Sequence, residues 1–166
     1  MSLRKKPWNR VNLPVYSISS HNGKGNHNMH IITYATAISM QPKQFICGVY
    51  RGTKTLENIT QHNKFVLQLL SAQQYNLVNM LGKKSGHQIN KMAYLQKRNL
   101  VQQWKDYYVL SDALAIIEME ALPVLLPNTA SPDHTIFLCN VLEYKNLHTG
   151  EPLTLDILRQ KHLIRI

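Results

Sequence analysis

From Asn28 to Met40 small and hydroxyl residues alternate with apolar ones, and the alternation stops at Gln41-Pro42. A period of two is the pattern of a half-buried strand, so Asn28 to Ser39 is expected as one bent strand or two short ones. Phe45 to Tyr50 reads as the next strand and runs into a basic, threonine-rich loop, Arg51-Gly52-Thr53-Lys54-Thr55. Leu56 and Ile59, three residues apart, then mark a helix predicted over Thr53 to Asn63. A strand that delivers Arg51, Thr53, Lys54 and Thr55 to a helix N-terminus makes an anion seat. Backbone N–H groups and the helix dipole attract negative charge there, and hydroxyls and cations complete the coordination. The same residues also read as a plain strand-to-helix turn capped by Thr53 or Thr55, and the local sequence favours that simpler reading.

The rest of the chain continues in short strands. Leu13 to Ser20 alternates, and His21 to Asn26 is a turn whose two glycines are free to take positive φ. Lys64 to Leu70 returns as a strand, and Ala113 to Pro123 alternates again. Thr135 to Glu143 is apolar on both faces, as expected of a central strand. Ser71-Ala72-Gln73-Gln74 matches a capping box, which predicts a second helix from Ala72 to Leu81 with Gly82 closing its C-terminus. Leu153 to Arg159 is expected as a short helix and His162 to Ile166 as a last strand, whereas Tyr94 to Tyr108 carries no pattern that assigns it. Several short strands with few helices fit a mainly β fold, a small barrel. At 166 residues the expectation is a single domain over 1–166, with 1–12 as a flexible arm.

Composition removes several functions. No apolar run approaches the ~20 residues of a membrane span, and the basic N-terminus lacks the apolar core of a secretory signal. A cytoplasmic protein without a membrane partner is expected. The formal charge of +10 suits anionic partners. Its lysines and arginines are scattered rather than gathered into a stripe interleaved with aromatics, so nucleic acid is not the expected partner. Cys47 and Cys139 lie in apolar runs outside any Cys-x-x-Cys unit, which points to two structural thiols. His21, His27 and His30 lie close in sequence without a carboxylate to complete a site, so no metal is expected. The few acids are not arranged for acid–base catalysis, and Glu118 and Glu120 read as the polar face of a strand.

The order of the segments is more telling than any one of them. It resembles the flavin reductase-like family of FMN-binding split β-barrels. There an Asn-containing strand leads to a small/hydroxyl segment, Ser-x-x-Pro, an apolar strand, a Thr before a helix, and a strand beginning with Phe. In this chain those positions read Asn28, Thr33 to Ala37, Ser39-Met40-Gln41-Pro42, Phe45 to Tyr50, Thr55 and Phe65-Val66-Leu67. The resemblance continues through Gly82, Ser85-Gly86 and Lys91, and ends at Asp133-His134, where Pro132 replaces the family's Gly.

The resemblance implies an enzyme whose chemistry is carried by flavin, with no protein acid or base. Backbone amides along Thr33, Tyr34, Ala35 and Thr36, with Ser39 closing the segment, would hold the pyrimidine edge of the ring. Arg51, Thr53, Lys54 and Thr55 would hold the 5′-phosphate of FMN, and Ser85, Gly86 and Lys91 would close over it. His134 would touch flavin or nicotinamide. NAD(P)H would be the co-substrate, its hydride carbon ~3.5 Å from flavin N5, with FAD or riboflavin as further flavin substrates. A homodimer and a monooxygenase or other electron acceptor are the implied partners. Two alternatives stay open: an FMN-containing electron carrier without rapid nicotinamide oxidation, and a non-redox module that binds anions or nucleic acid.

Overall fold

A computed structural model describes residues 6–127 and 132–164. In chain order the elements are β1 (Tyr16–His21), β2 (His27–Ile32), β3 (Ala35–Met40), β4 (Lys43–Tyr50), α1 (Lys54–Gln61), β5 (Lys64–Leu69), α2 (Lys91–Lys97), β6 (Val101–Trp104), β7 (Tyr107–Leu110), β8 (Ala115–Pro123), β9 (His134–Asn146) and α3 (Leu155–Gln160). Seven strands form one sheet in the order β2-β1-β5-β8-β9-β4-β3, every pair antiparallel.

That order sets the shape. β2 and β3 are the two edges of the sheet, yet only Thr33 and Tyr34 separate them in the chain. Two residues span well under 10 Å, so the sheet has to curl until its edges approach. Ile18, Cys47, Phe65, Met119, Phe137 and Cys139 come from five different strands and pack in one buried cluster, with Ile59 of α1 joining them. The result is a barrel open along the β2/β3 seam, the split barrel expected from the sequence.

A second layer covers the outside of β1, β2 and β5. Val15, Met29 and Leu70 pack there against Leu77, Leu81, Met92, Leu95 and Leu158 from the helical segments. β1 is consequently buried along nearly its whole length. Two of its hydroxyls are engaged: Ser19 Oγ donates to the Tyr108 carbonyl at 2.6 Å and Ser20 Oγ accepts from Asn58 Nδ2 at 3.2 Å, whereas Ser17 Oγ is buried without a hydrogen-bond partner among the described residues. In β5, buried Gln68 accepts the Leu110 N–H at 2.6 Å. The bonds to Tyr108 and Leu110 fasten the β6–β7 hairpin to the sheet.

The structure corrects several sequence expectations. The alternation from Asn28 to Ser39 takes the second of its two expected forms, two short strands, with the break at Thr33-Tyr34. The capping box at Ser71 and Gln74 is present, but it opens a 3-10 helix (Ala72–Leu77) followed by a π-helical turn (Asn79–Lys83), not an α-helix. Gly82 therefore lies inside the turn, its Cα facing Ile31, and terminates nothing. The unassigned stretch Tyr94 to Tyr108 holds most of α2 and the β6–β7 hairpin. Of the predicted arm, 1–5 lie outside the described residues. Pro7–Asn9 form a 3-10 turn, and Asn12 Oδ1 accepts the Asp156 N–H of α3 at 2.9 Å. The predicted last strand is a turn at its described end, where the Leu163 N–H bonds the Leu158 carbonyl, and 165–166 lie outside the described residues. β9 is central in the sheet as expected, but its C-terminal part is exposed rather than buried on both faces. Glu118 is buried and ion-paired with Lys105, which also reaches Glu143, so it is not a solvated face.

Candidate functional site

The loop between β4 and α1 is shaped by local rules. Gly52 takes φ +77°, a conformation that favours glycine, and turns the chain. Thr53 is the N-cap: its hydroxyl accepts the Leu56 N–H at 3.2 Å and donates to the Tyr50 carbonyl at 2.8 Å. The alternative cap, Thr55, is fully buried and accepts from the Asn28 amide at 2.9 Å. Asn28 thus ties β2 to the first turn of α1. The loop at Ser85-Gly86 lies directly on this tie. A Cβ on Gly86 would stand 2.4 Å from Asn28 Oδ1 and 3.1 Å from Lys54 Cβ, so only glycine lets the loop sit so close.

Lys91, the first residue of α2, completes the cradle from beneath. Its side chain is 2 % exposed and its Nζ donates to the Leu81 carbonyl at 2.7 Å. Burial lowers the ammonium pKa to about 8, because removing a charge from water disfavours the charged form. His30 lies beside it. Burial foremost, and the Lys91 charge second, push the imidazole down to about 4, while a bond to the Leu81 carbonyl works the other way. At neutral pH this leaves His30 uncharged and Lys91 mostly charged.

These segments enclose a cavity of about 230 Å³. Arg51, Lys54, Lys83, Lys84 and Lys91 line it, with Thr53, Ser85 and Gly86, and among the described residues no carboxylate does. A neighbouring cavity of about 270 Å³ is lined by Thr33, Tyr34, Gly48 and His134. His30 and Tyr50 border both, so the two form one trough along the barrel seam. The His134 ring is 4.9 Å from that of Tyr34 and 5.3 Å from that of Tyr50. Its Nδ1 lies 2.7 Å from Asp133 Oδ1, a bond that orients the ring and lowers the carboxyl pKa of Asp133. Gly48 lies between Tyr34 and His134, and a Cβ there would meet Tyr34 Cβ at 3.4 Å and His134 Cβ at 3.7 Å.

The structure therefore brings Arg51, Thr53, Lys54, Ser85, Gly86 and Lys91 to one end of the trough and Thr33, Tyr34 and His134 to the other. It leaves out four of the residues singled out in the sequence. Thr55 is consumed by Asn28, Ala35 and Thr36 lie on β3 beyond the trough lining, and Ser39 borders a separate apolar groove with Met40, Phe45 and Tyr144. His30, Tyr50 and Gly48 were not picked out as site residues. Asn28 and His30 are two apart on a strand and so share a face; that spacing was the available signal. His27 and His30 are three apart and point to opposite faces: the His27 ring meets that of His21 at 5.2 Å, which stacks on His62 at 4.5 Å, while His30 stands apart at the trough. Among the described residues no group of three or more His, Cys, Asp or Glu side chains is placed to hold a metal. Cys47 and Cys139 are free and buried.

The flavin reductase-like domain family matches residues 8–160 of the sequence. The chain belongs to that family. No curated protein matches it. The fold is shared with an FMN-binding protein from Thermus thermophilus, at 18% identity and a TM-score of 0.71, covering 88% of this chain and 77% of that one. It is shared also with the styrene monooxygenase flavin reductase of Pseudomonas putida S12, at 18% identity and a TM-score of 0.67, covering 87% and 86%. Flavoredoxin of Desulfovibrio vulgaris (Miyazaki F) is similar at 17% identity and a TM-score of 0.70, covering 92% and 81%. Among the described residues no helix is long and apolar enough to cross a membrane.

Proposed function

We propose that this member of the flavin reductase-like family binds FMN in the trough and reduces it with NAD(P)H. The observation that carries the reading is the convergence of Arg51, Lys54 and Lys91 on one cavity, without a carboxylate among its described residues, that shares His30 and Tyr50 with an aromatic-walled one. A ligand with a phosphate at one end and a planar ring at the other matches that division. Flavin, when bound, supplies the two-electron chemistry at its N5, and FAD or riboflavin offers the same ring as substrate.

The chain's residues then have separate tasks. Arg51 and Lys54 neutralise the phosphate from the loop side, with Lys91 beneath and the Ser85-Gly86 loop above. The first N–H groups of α1 have no intrahelical acceptor and add donors there. The Thr53 hydroxyl is committed to the cap, so its contribution is to hold the loop. Thr33 and Tyr34 lie between paired strands, and their backbone faces the ring end. Tyr34 and Tyr50 exclude water from it, and His134, fixed by Asp133, is the contact for the nicotinamide. A homodimer covers the exposed apolar residues of β3 and β9, and reduced flavin or its electrons pass to a monooxygenase or another acceptor.

Two measurements test this. The visible spectrum of the purified protein with added FMN, taken before and after anaerobic NADH or NADPH, should show flavin bands that bleach with one donor. A protein that does not bind FMN defeats the reading. Arg51→Ala together with Lys54→Ala should weaken FMN at least tenfold and riboflavin little, because only FMN carries the phosphate. Equal losses for both ligands reject the phosphate seat.

A further inference from the structure

We propose that His21, His27 and His62, packed with Tyr107 and Tyr108, form a latch that holds the β6–β7 hairpin on the barrel and releases it on acidification. The latch stands apart from the trough and is independent of the flavin reading. Its parts come from three places: His21 and His27 from the two sides of the β1–β2 turn, His62 from the end of α1, and the tyrosines from β7. The His21 ring stacks on that of His62 at 4.5 Å, and meets His27 at 5.2 Å and Tyr107 at 4.7 Å. His27 meets Tyr108 edge to face at 5.0 Å, and the Tyr107 hydroxyl is 3.4 Å from His62 Nε2. The β1–β2 turn is continuous with two strands of the main sheet, and Asn58 Nδ2 anchors it further by donating to the Asn26 carbonyl at 3.2 Å. The strands of the hairpin pair only with each other, and a two-stranded hairpin needs outside packing to stay folded. The hairpin is therefore the side that gives way.

The cluster accommodates neutral imidazoles only. His21 Nδ1 accepts the Gly23 N–H at 3.0 Å, so the one proton of the neutral ring is on Nε2. A second proton would go to Nδ1 and face the Gly23 hydrogen, turning that bond into a contact between two donors. His21 Nε2 and His27 Nδ1 are buried without a hydrogen-bond partner among the described residues, so an imidazolium N–H at either place finds no acceptor. Burial lowers the pKa of both rings. For His21 the neighbouring His62 and His27 lower it further, against an opposing pull from Asp106 in the hairpin turn. The other charges at the hairpin are Lys105, paired with Glu118 of β8 and Glu143 of β9, and the acids Asp106 and Glu118, which act on the Tyr107 hydroxyl. The closed cluster thus binds fewer protons than the released one. Below the ordinary histidine value of about 6.5, each falling pH unit favours release by up to about tenfold per histidine.

The test is amide hydrogen exchange of the full chain at about pH 7.5 and about pH 5.5, corrected for the intrinsic exchange rate and repeated on His21→Phe with His27→Phe, which keep aromatic rings but cannot titrate. Protection of 101–110 should fall at least tenfold between the two conditions in the unsubstituted chain, and less than threefold in the double variant. At the lower pH the hairpin of the unsubstituted chain should also exchange at least tenfold faster than β8. Equal protection of the hairpin and β8 there would mean that the two come apart only together, which overturns the latch. An undiminished pH response in the double variant overturns it as well. Should that variant fail to fold, a proton NMR titration of the unsubstituted chain decides. The His21 and His27 ring signals should titrate below 6.5, and the hairpin amides should shift with the same midpoint. Rings that titrate at 6.5, or hairpin amides that do not follow them, reject the proposal.

Discussion

The two halves of the sheet are covered differently. On β2, β1 and β5 both faces are buried, one in the barrel and the other under the helical layer, so that residues such as Met29, Phe65, Val66 and Leu67 have no exposed surface. On β3 and β9 only the barrel face is covered. Met40 is 90% exposed, Tyr144 58% and Ile38 51%, and Phe45, Ile117 and Val141 line an apolar groove of about 310 Å³ beside them. The covered half fixes the trough from behind, because His30 and Lys91 meet the Leu81 carbonyl of the helical layer and Asn28 is tied to Thr55 of α1. The bare half supplies only its mouth, through Tyr34, Tyr50 and His134. Stability and recognition are thus divided across the seam: one half is a completed core, and the other is a surface that a second chain can complete.

The division can be broken first at its strongest point. Phe65→Ala removes a fully buried ring from the covered half and should cost about 3–5 kcal/mol in urea unfolding. A loss below about 1 kcal/mol would mean that the barrel core is not what holds that half together. A pH series addresses the same half. The unfolded chain keeps a proton on His30 up to its ordinary value of 6.5, whereas the folded chain gives it up near 4. The unfolded state therefore binds more protons in between, and stability should fall as pH drops from 6.5 to 4, by at most about 3 kcal/mol from this group. His30→Gln should flatten that slope, and an unchanged slope would place the acid sensitivity elsewhere.

At the seam, Thr53→Ala should cost about 1 kcal/mol, the value of a lost N-cap, and should weaken FMN less than the loss of Arg51 and Lys54. Stronger weakening of FMN would show that the hydroxyl contacts the ligand and is not only a cap. On the bare half, Met40→Lys should change monomer stability by less than about 0.5 kcal/mol while shifting sedimentation from dimer to monomer. A dimer indifferent to Met40→Lys and Tyr144→Lys would mean that this face is covered by something other than a second copy.

Much of the site could be read from the sequence where the physics is local. Thr53 as a cap, Gly52 in the turn and the delivery of Arg51 and Lys54 to the start of α1 all follow from rules that span four or five residues. Strand alternation was equally legible, because a period of two depends only on which residues one strand turns inward. The residues that fell away from the trough, Ala35, Thr36 and Ser39, lie past the break at Thr33-Tyr34. Nothing in their own spacing announces that break; the curl of the whole sheet imposes it. The stretch from Ala72 to Lys83 shows the same limit, since its capping box was correct while packing set the 3-10 and π turns that followed.

By itself, then, the sequence determined a chain of short strands around a basic strand-to-helix turn, with the order of segments that marks its family. The tertiary structure decided which lysine is buried, that His30 and not His27 borders the trough, and that Asn28, Lys54 and Gly86 pack together at its basic end. Those depend on segments 28–30, 51–54, 82–86 and 91 meeting in space. Burial and electrostatics are set by such non-local neighbours, which no window along the chain contains.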